Sequence, residues 1–419
     1  MSEEQPTVVV AYSGGLDTSF LVARYARTGF RVVAVTVDTG GFEEGELGVI
    51  GQRARTLGAA RWVGVDAQAD VFDRYVTWLI KANVLKGGVY PLSVAAERYA
   101  QAEKAVEVAR AERARAVVHG STGAGNDQVR FDVSFRVLAP ELEVWAPVRD
   151  EGLTREQERA WLEKEGLAGA LARSKAQQAY SVNAGLWGTT AGGGELHDPW
   201  EPAGEEAYPL VVAPWDAADL PEELDIEFTR GVPTAVCGQA CDGPALTRQL
   251  NKIGRRHGVG RGVHVGDTVL GLKGRIAFEA PAALILIAAH RELEKITLTG
   301  GQLIQKDHLA LTYGDHFHRG LFHEPVMRDI EAFLDSSQRT VTGTVRVRLY
   351  RGSVDVLGVQ SPFSLMDPDI GRYGESARLW DGRDARGFAR LLGIPGEVAS
   401  RRDRKAAARA AAAAPAERE

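Results

Sequence analysis

The stretch that most constrains the fold lies near the start of the chain, at residues 7–28. Residues 8–11 form a short apolar run that is typical of a strand covered on both faces, and from Thr18 apolar residues recur at helical spacing. Further apolar runs at residues 31–37 and 61–65 alternate with helical patterns. This alternation predicts an α/β fold whose N-terminal part is a doubly wound, Rossmann-like parallel sheet.

The segment between the first strand and the first helix, residues 13–19, reads SGGLDTS. Its two adjacent glycines let the backbone turn sharply and approach a ligand, while the free amides at the start of the new helix attract anionic oxygens. Its serine and threonine hydroxyls supply further hydrogen bonds. The segment has neither the lysine of a P-loop nor the spacing of a dinucleotide fingerprint. An ordinary strand-to-helix turn is the alternative, but the density of polar side chains favours a nucleotide phosphate site.

Composition narrows the class of protein. Of the 419 residues 44% are hydrophobic and 25% charged, as in a soluble globular protein, and the length allows two or three domains. A net charge of −6 argues against extended nucleic-acid binding. The first residues lack a basic region followed by an apolar core, and no run approaches 18 apolar residues. We therefore expect a cytoplasmic protein with no membrane partner.

Cysteine and histidine give little support for a metal site. The two cysteines, at 237 and 241, are expected to be buried small hydrophobic residues, with a redox pair or half a metal site as alternatives. Histidines in a hydrophilic loop are more common than metal ligands, so no metal is predicted for the remaining candidates, Asp315, His316, His318 and His323.

A second polar, glycine-rich segment follows another predicted strand, at residues 117–131. Its functional groups suit an amino-acid ligand: Asp127 can pair with an α-ammonium, Asn126 can donate and accept, and Arg130 can hold a carboxylate through two parallel hydrogen bonds. Thr122 adds a hydroxyl. A solvated polar loop is the alternative.

Both segments resemble known sequence signatures. SGGLDTS resembles the pyrophosphate-binding loop of the ATP pyrophosphatases, and AYSGGLDTS resembles the argininosuccinate synthase family in particular. Residues 120–131 are similar to that family's G-x-T-x-K-G-N-D-x-x-R-F, with Ala124 in place of the lysine. The resemblance extends to about residue 390.

The resemblance implies roles for individual residues. It implies that ATP, with Mg²⁺ carried on it, contacts Ala11, Tyr12, Ser13, Gly14, Gly15, Leu16, Asp17, Thr18, Ser19, Val37 and Gly120. It implies that citrulline and aspartate contact Tyr90, Thr122, Asn126, Asp127, Arg130, Ser181 and Thr190. The catalytic residues would be Asp17, Ser19 and Asp127, with Asp38 placed near the nucleoside or serving only as a turn residue.

Several positions depart from the family pattern. Gly266 and Phe278 stand where the family has a glutamate and a tyrosine that contact citrulline, Gly192 replaces another glutamate, and Val94 and Ala95 replace small polar residues. All these changes remove polarity or bulk. One hypothesis is that the site takes an N-acylated citrulline, whose α-nitrogen is uncharged; the alternative is repacking within a citrulline enzyme.

The remaining sequence predicts three parts: a nucleotide-binding domain at 1–170, an α+β substrate and assembly domain at 171–390, and a helical or disordered tail at 391–419. Residues 180–194 look like a surface loop by composition, although the resemblance makes them a substrate segment. Strands are predicted at 225–228, 283–289 and 341–350, and helices at 93–112, with Ser93 as N-cap, 244–257 and 323–336. Residues 401–419 should fray or be disordered.

The sequence therefore predicts an ATP-dependent ligase that joins citrulline and aspartate, releases AMP and pyrophosphate, and assembles as a homotetramer, as the resemblance implies. A tRNA-modifying adenylating enzyme and a catalytically inactive ATP-binding regulator are the alternatives. The acidic net charge and the lack of a C-x-x-C pair count against the tRNA enzyme.

Overall fold

Apolar strands build a parallel sheet in the N-terminal part of the computed structural model, which describes residues 5–167, 169 and 180–413. The strands are β1 (Thr7–Ala11), β2 (Arg31–Asp38), β3 (Arg61–Asp66), β4 (Ala116–Val118) and β5 (Glu143–Trp145). Their order is β3-β2-β1-β4-β5 and every pair is parallel. β1 lies in the centre, where Val8, Val9 and Val10 are fully buried.

The helices that accompany this sheet follow the strands in alternation. They are α1 (Leu16–Arg27), α2 (Glu46–Thr56), α3 (Gln68–Val71), α4 (Thr77–Lys81), α5 (Ala95–Ala111), α6 (Asp127–Leu138), α7 (Pro147–Asp150) and α8 (Arg155–Lys164). A π-helical turn at Phe72–Val76 joins α3 to α4. A capping box fixes the start of α8, because the Thr154 hydroxyl accepts from the Gln157 amide and the Gln157 side chain accepts from the Thr154 amide.

The second half of the chain contains two antiparallel sheets. One has the order β10-β9-β8-β13-β14 and the other the order β11-β12-β7-β6, with strands β6 (Tyr180–Gly185), β7 (Gly188–Gly193), β8 (Glu222–Thr229), β9 (Val232–Val236), β10 (Gln239–Ala240), β11 (Arg261–Asp267), β12 (Lys273–Glu279), β13 (Gly343–Tyr350) and β14 (Ser353–Gln360). The second half also contains four helices: α9 (Gly243–Arg256), α10 (Pro281–Thr297), α11 (Gly300–Arg319) and α12 (Pro325–Ser337). The predicted α/β class with an α+β second part is confirmed.

One hydrophobic core runs from the parallel sheet into the second half. It includes Val9 of β1, Tyr99 of α5, Phe278 of β12 and Leu286 of α10. Trp187, fully buried between β6 and β7, donates from its indole N–H to the Pro91 carbonyl at 3.0 Å. The division between residues 1–170 and 171–390 stays a prediction, and residues 168 and 170–179 lie outside the described part of the chain.

Two secondary-structure predictions for the second half are wrong. Residues 283–289, predicted as a strand, lie within α10, where burial on nearly all sides removes the polar face that marks a surface helix. Residues 180–193, which look like a surface loop by composition, form the hairpin of β6 and β7. The glycines that suggest a loop permit close packing, since a Cβ at Gly188 would lie 2.6 Å from the Glu279 carbonyl oxygen.

Two smaller predictions also fail. Ser93 is not the N-cap of α5, which begins at Ala95 with Val94 before it. Cys237 is exposed in the turn between β9 and β10, and Cys241 is partly exposed, so they are not a buried pair. The tail, predicted to be helical or disordered, is helical at residues 401–413, while residues 414–419 lie outside the described part.

A separate unit contains residues 364–419. Within its described residues a short hairpin, β15 (Gly371–Arg372) with β16 (Ser376–Ala377), precedes helix α13 (Gly382–Ala413). No described residue of α13 is buried. In the part of the chain that the structure describes, no helix is long and apolar enough to cross a membrane.

Replacing Trp187 by alanine tests the shared core. Trp187→Ala should lower the free energy of unfolding by about 3–5 kcal/mol, because it leaves a large cavity and an unpaired Pro91 carbonyl. Trp200, which is 89% exposed, is the matched control, and Trp200→Ala should change stability by less than about 0.5 kcal/mol. Urea unfolding of both variants checks this, and equal losses would contradict the shared core.

Candidate active site

The candidate site is a cavity of about 480 Å³ at the carboxyl ends of the central parallel strands. Ligands of such sheets bind where the chain changes direction across the sheet, here between β1 and β4. Most of the residues that the sequence predicts for the site line this cavity: Ala11, Tyr12, Ser13, Gly15, Asp17, Thr18, Val37, Tyr90, Gly120, Thr122, Asn126, Asp127, Arg130, Ser181 and Thr190. The SGGLDTS loop and the segment of residues 117–131, which are far apart in sequence, therefore line the same cavity.

The SGGLDTS loop turns directly from β1 into α1. Gly14 has φ +75°, and a Cβ there would lie 3.1 Å from Ile50, so a side chain would be strained and crowded. The Ser13 hydroxyl accepts from the Gly15 amide at 3.3 Å and lies 3.2 Å from the Thr18 hydroxyl. The loop therefore has fixed hydroxyls next to the free amides of the first helical turn, an arrangement that binds phosphate oxygens.

Three predicted ATP contacts do not line the cavity: Gly14, Leu16 and Ser19. Ser19 is fully buried behind the loop, with its hydroxyl 3.3 Å from that of Tyr12. Asp38 has a turn role, because one carboxylate oxygen accepts from the Gly40 amide at 2.8 Å and the other from Gln68 at 3.2 Å. Ser19 thus supports the position of Tyr12, and Asp38 holds the loop after β2.

Glu158 of α8 lies behind Asp17 of the loop. Glu158 is 1% exposed, and neither carboxyl oxygen has a hydrogen-bond partner among the described residues. Burial, followed by the nearby charge of Asp17, raises the pKa of Glu158 to about 8. At neutral pH Glu158 is therefore largely a neutral acid, while Arg155, one turn earlier on the same helix, lines the cavity.

The loop after β4 packs closely against SGGLDTS. A Cβ at Gly120 would lie 3.2 Å from side-chain carbons of both Asp17 and Thr18, so this glycine lets the two loops meet. His119 Nδ1 accepts from the Ser121 amide at 3.3 Å, which leaves the proton on Nε2 to donate to Asp132 at 2.8 Å. The imidazole thereby fixes the start of this loop.

Asp127 forms the charged centre of the site. One of its carboxylate oxygens accepts from Arg98 Nε at 2.9 Å and the other from Arg130 Nη1 at 2.8 Å. Burial alone would raise the pKa of Asp127, but the two guanidinium charges outweigh it and lower the pKa to about 2. Arg98 also donates to Asn183 of β6 at 2.6 Å, so this ion pair connects α5, α6 and the hairpin.

Arg130 is 5% exposed and is held by α11 as well as by Asp127. It donates to the His318 carbonyl from Nε at 3.0 Å and from Nη2 at 2.9 Å, and Nη2 lies 3.2 Å from His318 Nδ1. Burial and the charge of Arg130 lower the pKa of His318 to about 3, so its imidazole is neutral. Arg130 could therefore form two parallel hydrogen bonds to a substrate carboxylate only by releasing its hydrogen bonds to His318.

The β11–β12 turn closes the other side of the cavity. Asn126 Oδ1 accepts from the Val269 amide at 2.8 Å, which fastens this turn to the loop after β4. Tyr90 is 4% exposed and stacks on His264, with ring centroids 5.3 Å apart and planes at 23°. Burial raises the pKa of Tyr90, which keeps its hydroxyl protonated.

Sequence reasoning did not single out several residues that line the cavity: Arg98, Gln101, Arg155, Asn183, His264 and Thr268. A signal was present for Arg98, because Glu97 and Arg98 are charged residues in a run otherwise rich in alanine. His264 stands between two valines, with nothing in the pattern to distinguish it. Residues 315–318 lie in α11 rather than in a loop, and no set of three or more metal-ligating side chains occurs among the described residues.

Glu158→Gln tests the buried acid. Because the folded-state pKa is raised, Glu158 contributes full stability below about pH 4.5, and this contribution is lost as the pH rises towards 8. Between pH 6 and pH 8 the wild type should lose about 2 kcal/mol more than the variant. Melting temperatures from pH 5 to pH 9 measure the difference; parallel curves would show that Glu158 is already ionised at pH 6.

Comparisons with known proteins agree with this geometry. Residues 7–168 match the arginosuccinate synthase N-terminal HUP domain, and residues 180–399 match the arginosuccinate synthase C-terminal domain. Argininosuccinate synthase of Dehalococcoides mccartyi is 40% identical over 399 residues, covering 95% of this chain and 96% of the relative. That of Acaryochloris marina is 41% identical over 400 residues, covering 95% and 98%.

A solved structure of a predicted subunit of tRNA methyltransferase from Methanocaldococcus jannaschii matches 38% of this chain and 75% of its own length. The TM-score of this match is 0.27 and the sequence identity is 13%. The two domain matches cover most of the chain, and the relatives cover nearly all of it. The chain belongs to the argininosuccinate synthase family.

Proposed function

We propose that this protein joins citrulline and aspartate in an ATP-dependent reaction that yields argininosuccinate, AMP and pyrophosphate. The observation that carries the proposal is that the SGGLDTS loop and the Asp127 segment line one cavity. The SGGLDTS loop suits a polyphosphate leaving group, and the Asp127 segment suits amino-acid substrates. Relatives named argininosuccinate synthase support the same reaction.

We expect ATP to bind with its phosphates at the SGGLDTS loop and its adenine at the end of β2. The phosphates would meet Ser13, Gly15 and Thr18 at the start of α1, and the adenine would lie towards Val37 at the end of β2. Mg²⁺ would enter as part of the substrate, bound to the phosphates. Gly120, packed against the loop, would leave the α-phosphorus accessible from the side of the amino-acid residues.

The proposed reaction has two steps. The ureido oxygen of citrulline attacks the α-phosphorus, an O–P bond forms, the bond to the β-phosphate bridge breaks, and pyrophosphate leaves at the SGGLDTS loop. The aspartate amine then attacks the ureido carbon of citrullyl-AMP, AMP leaves, and the amine loses a proton. No side chain needs to form a covalent bond, so binding geometry and stabilisation of phosphoryl charge supply the rate.

Asp127 is the proposed centre of aspartate binding, together with Thr122 and Asn126. Its low pKa keeps it ionised at all physiological pH values, as a partner for an α-ammonium must be. Both its oxygens already accept from arginine, but each carboxylate oxygen can accept two hydrogen bonds. Asp127 can therefore bind a substrate ammonium without releasing Arg98 or Arg130.

Assembly and location are further parts of the proposal. We infer a cytoplasmic homotetramer, in which the unit of residues 364–419 contacts other subunits. The support is its run of exposed apolar side chains on α13: Phe388, Leu391, Leu392, Ile394 and Val398. The mass of the full chain in solution tests this part.

Asp127→Asn tests the function directly. The change leaves two largely buried guanidinium groups without their counter-charge and removes the ammonium partner, so argininosuccinate formation should fall by about 100-fold or more. Asp225→Asn is the matched control, since it also breaks an arginine–aspartate pair, with Arg346, but one whose side chains are both partly exposed to solvent. Product formation from ATP, citrulline and aspartate, measured by mass spectrometry, compares them.

The outcome separates two failures. If the wild type releases no pyrophosphate with citrulline and aspartate, the proposed reaction is wrong. If the wild type is active and Asp127→Asn retains a tenth or more of its activity, the reaction stands but the role of Asp127 does not.

A further inference from the structure

His264 occupies a slot that two glycines keep open. A Cβ at Gly266 would lie 2.5 Å from its Nε2, and a Cβ at Gly87 would lie 3.1 Å from its Cε1. Tyr90 stacks on the ring, and Ile276 is its register partner on β12. Because side chains at either glycine would displace it, the imidazole has a defined place at the cavity wall.

In this slot the ring nitrogens of His264 are available for hydrogen bonds to a ligand. His264 is 8% exposed and lines the cavity, and neither of its ring nitrogens makes a hydrogen bond to a described residue. Gly266, against Nε2, also lines the cavity, whereas Gly87 does not, so the Nε2 edge is the one that a ligand can reach.

The surroundings keep this imidazole neutral. Burial and the charge of Lys86 lower the pKa of His264. The other titratable groups next to it are Tyr90 and the neutral His318 of α11, while Asp267 at the end of the same strand is paired with Lys273 at 2.6 Å. A neutral imidazole has one nitrogen that accepts a hydrogen bond.

Few carboxylates are available for a second amino group in the cavity. Asp127 is the proposed partner of the aspartate ammonium, Asp267 is 63% exposed and paired with Lys273, and Asp17 belongs to the phosphate loop. Arg130 lines the cavity, and its positive charge favours a ligand carboxylate here. An amino nitrogen next to that carboxylate would meet the acceptor nitrogen of His264 at the cavity wall.

We propose that His264 is a specificity-determining residue of the citrulline site, accepting a hydrogen bond at its ring nitrogen from the α-amino nitrogen of that substrate. This inference rests on the proposed function. Because the acceptor is neutral, it can accept a hydrogen bond either from a free α-ammonium or from the N–H of an N-acylated amine. The wild type should therefore discriminate less between citrulline and N-acetylcitrulline than a site with a carboxylate would.

The first experiment separates substrate contacts by their KM values. His264→Ala should raise the KM for citrulline about tenfold or more, with less than twofold changes for ATP and aspartate. His264→Gln retains an acceptor and should recover part of the loss. His308→Gln, at an exposed position on α11, is the matched control and should change nothing.

A pH series distinguishes a hydrogen-bonding role of His264 from a role in packing alone. Because the pKa of His264 is lowered from its ordinary value of about 6.5, the imidazole becomes protonated only below that pH. Protonation removes the acceptor and adds positive charge, so the KM for citrulline should rise in the wild type as the pH falls below about 6. In His264→Gln this rise should be absent. A rise of the same size in both proteins would contradict the role of His264.

A third variant restores negative charge. In His264→Ala with Gly266→Glu the carboxylate occupies the vacated slot, so citrulline binding should recover, whereas N-acetylcitrulline, which lacks the ammonium, should not regain its KM. A citrulline KM that is unchanged in His264→Ala, with unchanged melting temperature and full turnover, would overturn the inference while leaving the proposed reaction intact. Absence of turnover in the wild type would overturn the proposed reaction instead.

Discussion

The ion pair of Asp127 with Arg98 and Arg130 is the interaction on which the site depends. Arg98 and Arg130 are 8% and 5% exposed, so both have lost most of their hydration, a cost that only well-placed partners offset. Asp127 supplies the charge, and Gln101, Asn183 and the His318 carbonyl supply further acceptors. Helices α5, α6 and α11 and strand β6 therefore hold fixed positions around a single carboxylate.

Two buried acids lie behind groups that line the cavity, Glu97 beside Arg98 and Glu158 beside Asp17. Glu97, the residue before Arg98, is 1% exposed and has one oxygen without a hydrogen-bond partner among the described residues; burial raises its pKa to about 8. Its carboxyl fills the space beside Gly185, where a Cβ would overlap with it. Glu97 and Glu158 are therefore both neutral acids behind groups that line the cavity. Because they carry no negative charge, they do not repel anionic substrates.

Local patterns were sufficient to predict the strand, loop and helix of residues 7–27, because the loop residues and the elements that hold them are neighbours in sequence. They were not sufficient for Arg98, His264 or His318. These side chains gain their roles from residues far away in the chain, such as Asn183 for Arg98 and Arg130 for His318. α10 was predicted as a strand because an apolar segment buried on all sides has no polar face from which to recognise its period.

In the proposed reaction, the ureido oxygen of citrulline attacks the α-phosphorus of ATP. Citrulline labelled with ¹⁸O in its ureido group tests this step when the full chain turns over with ATP and aspartate. We expect the label to appear in AMP, because that oxygen becomes bonded to the α-phosphorus and stays there when AMP leaves. Turnover that produces unlabelled AMP would contradict it.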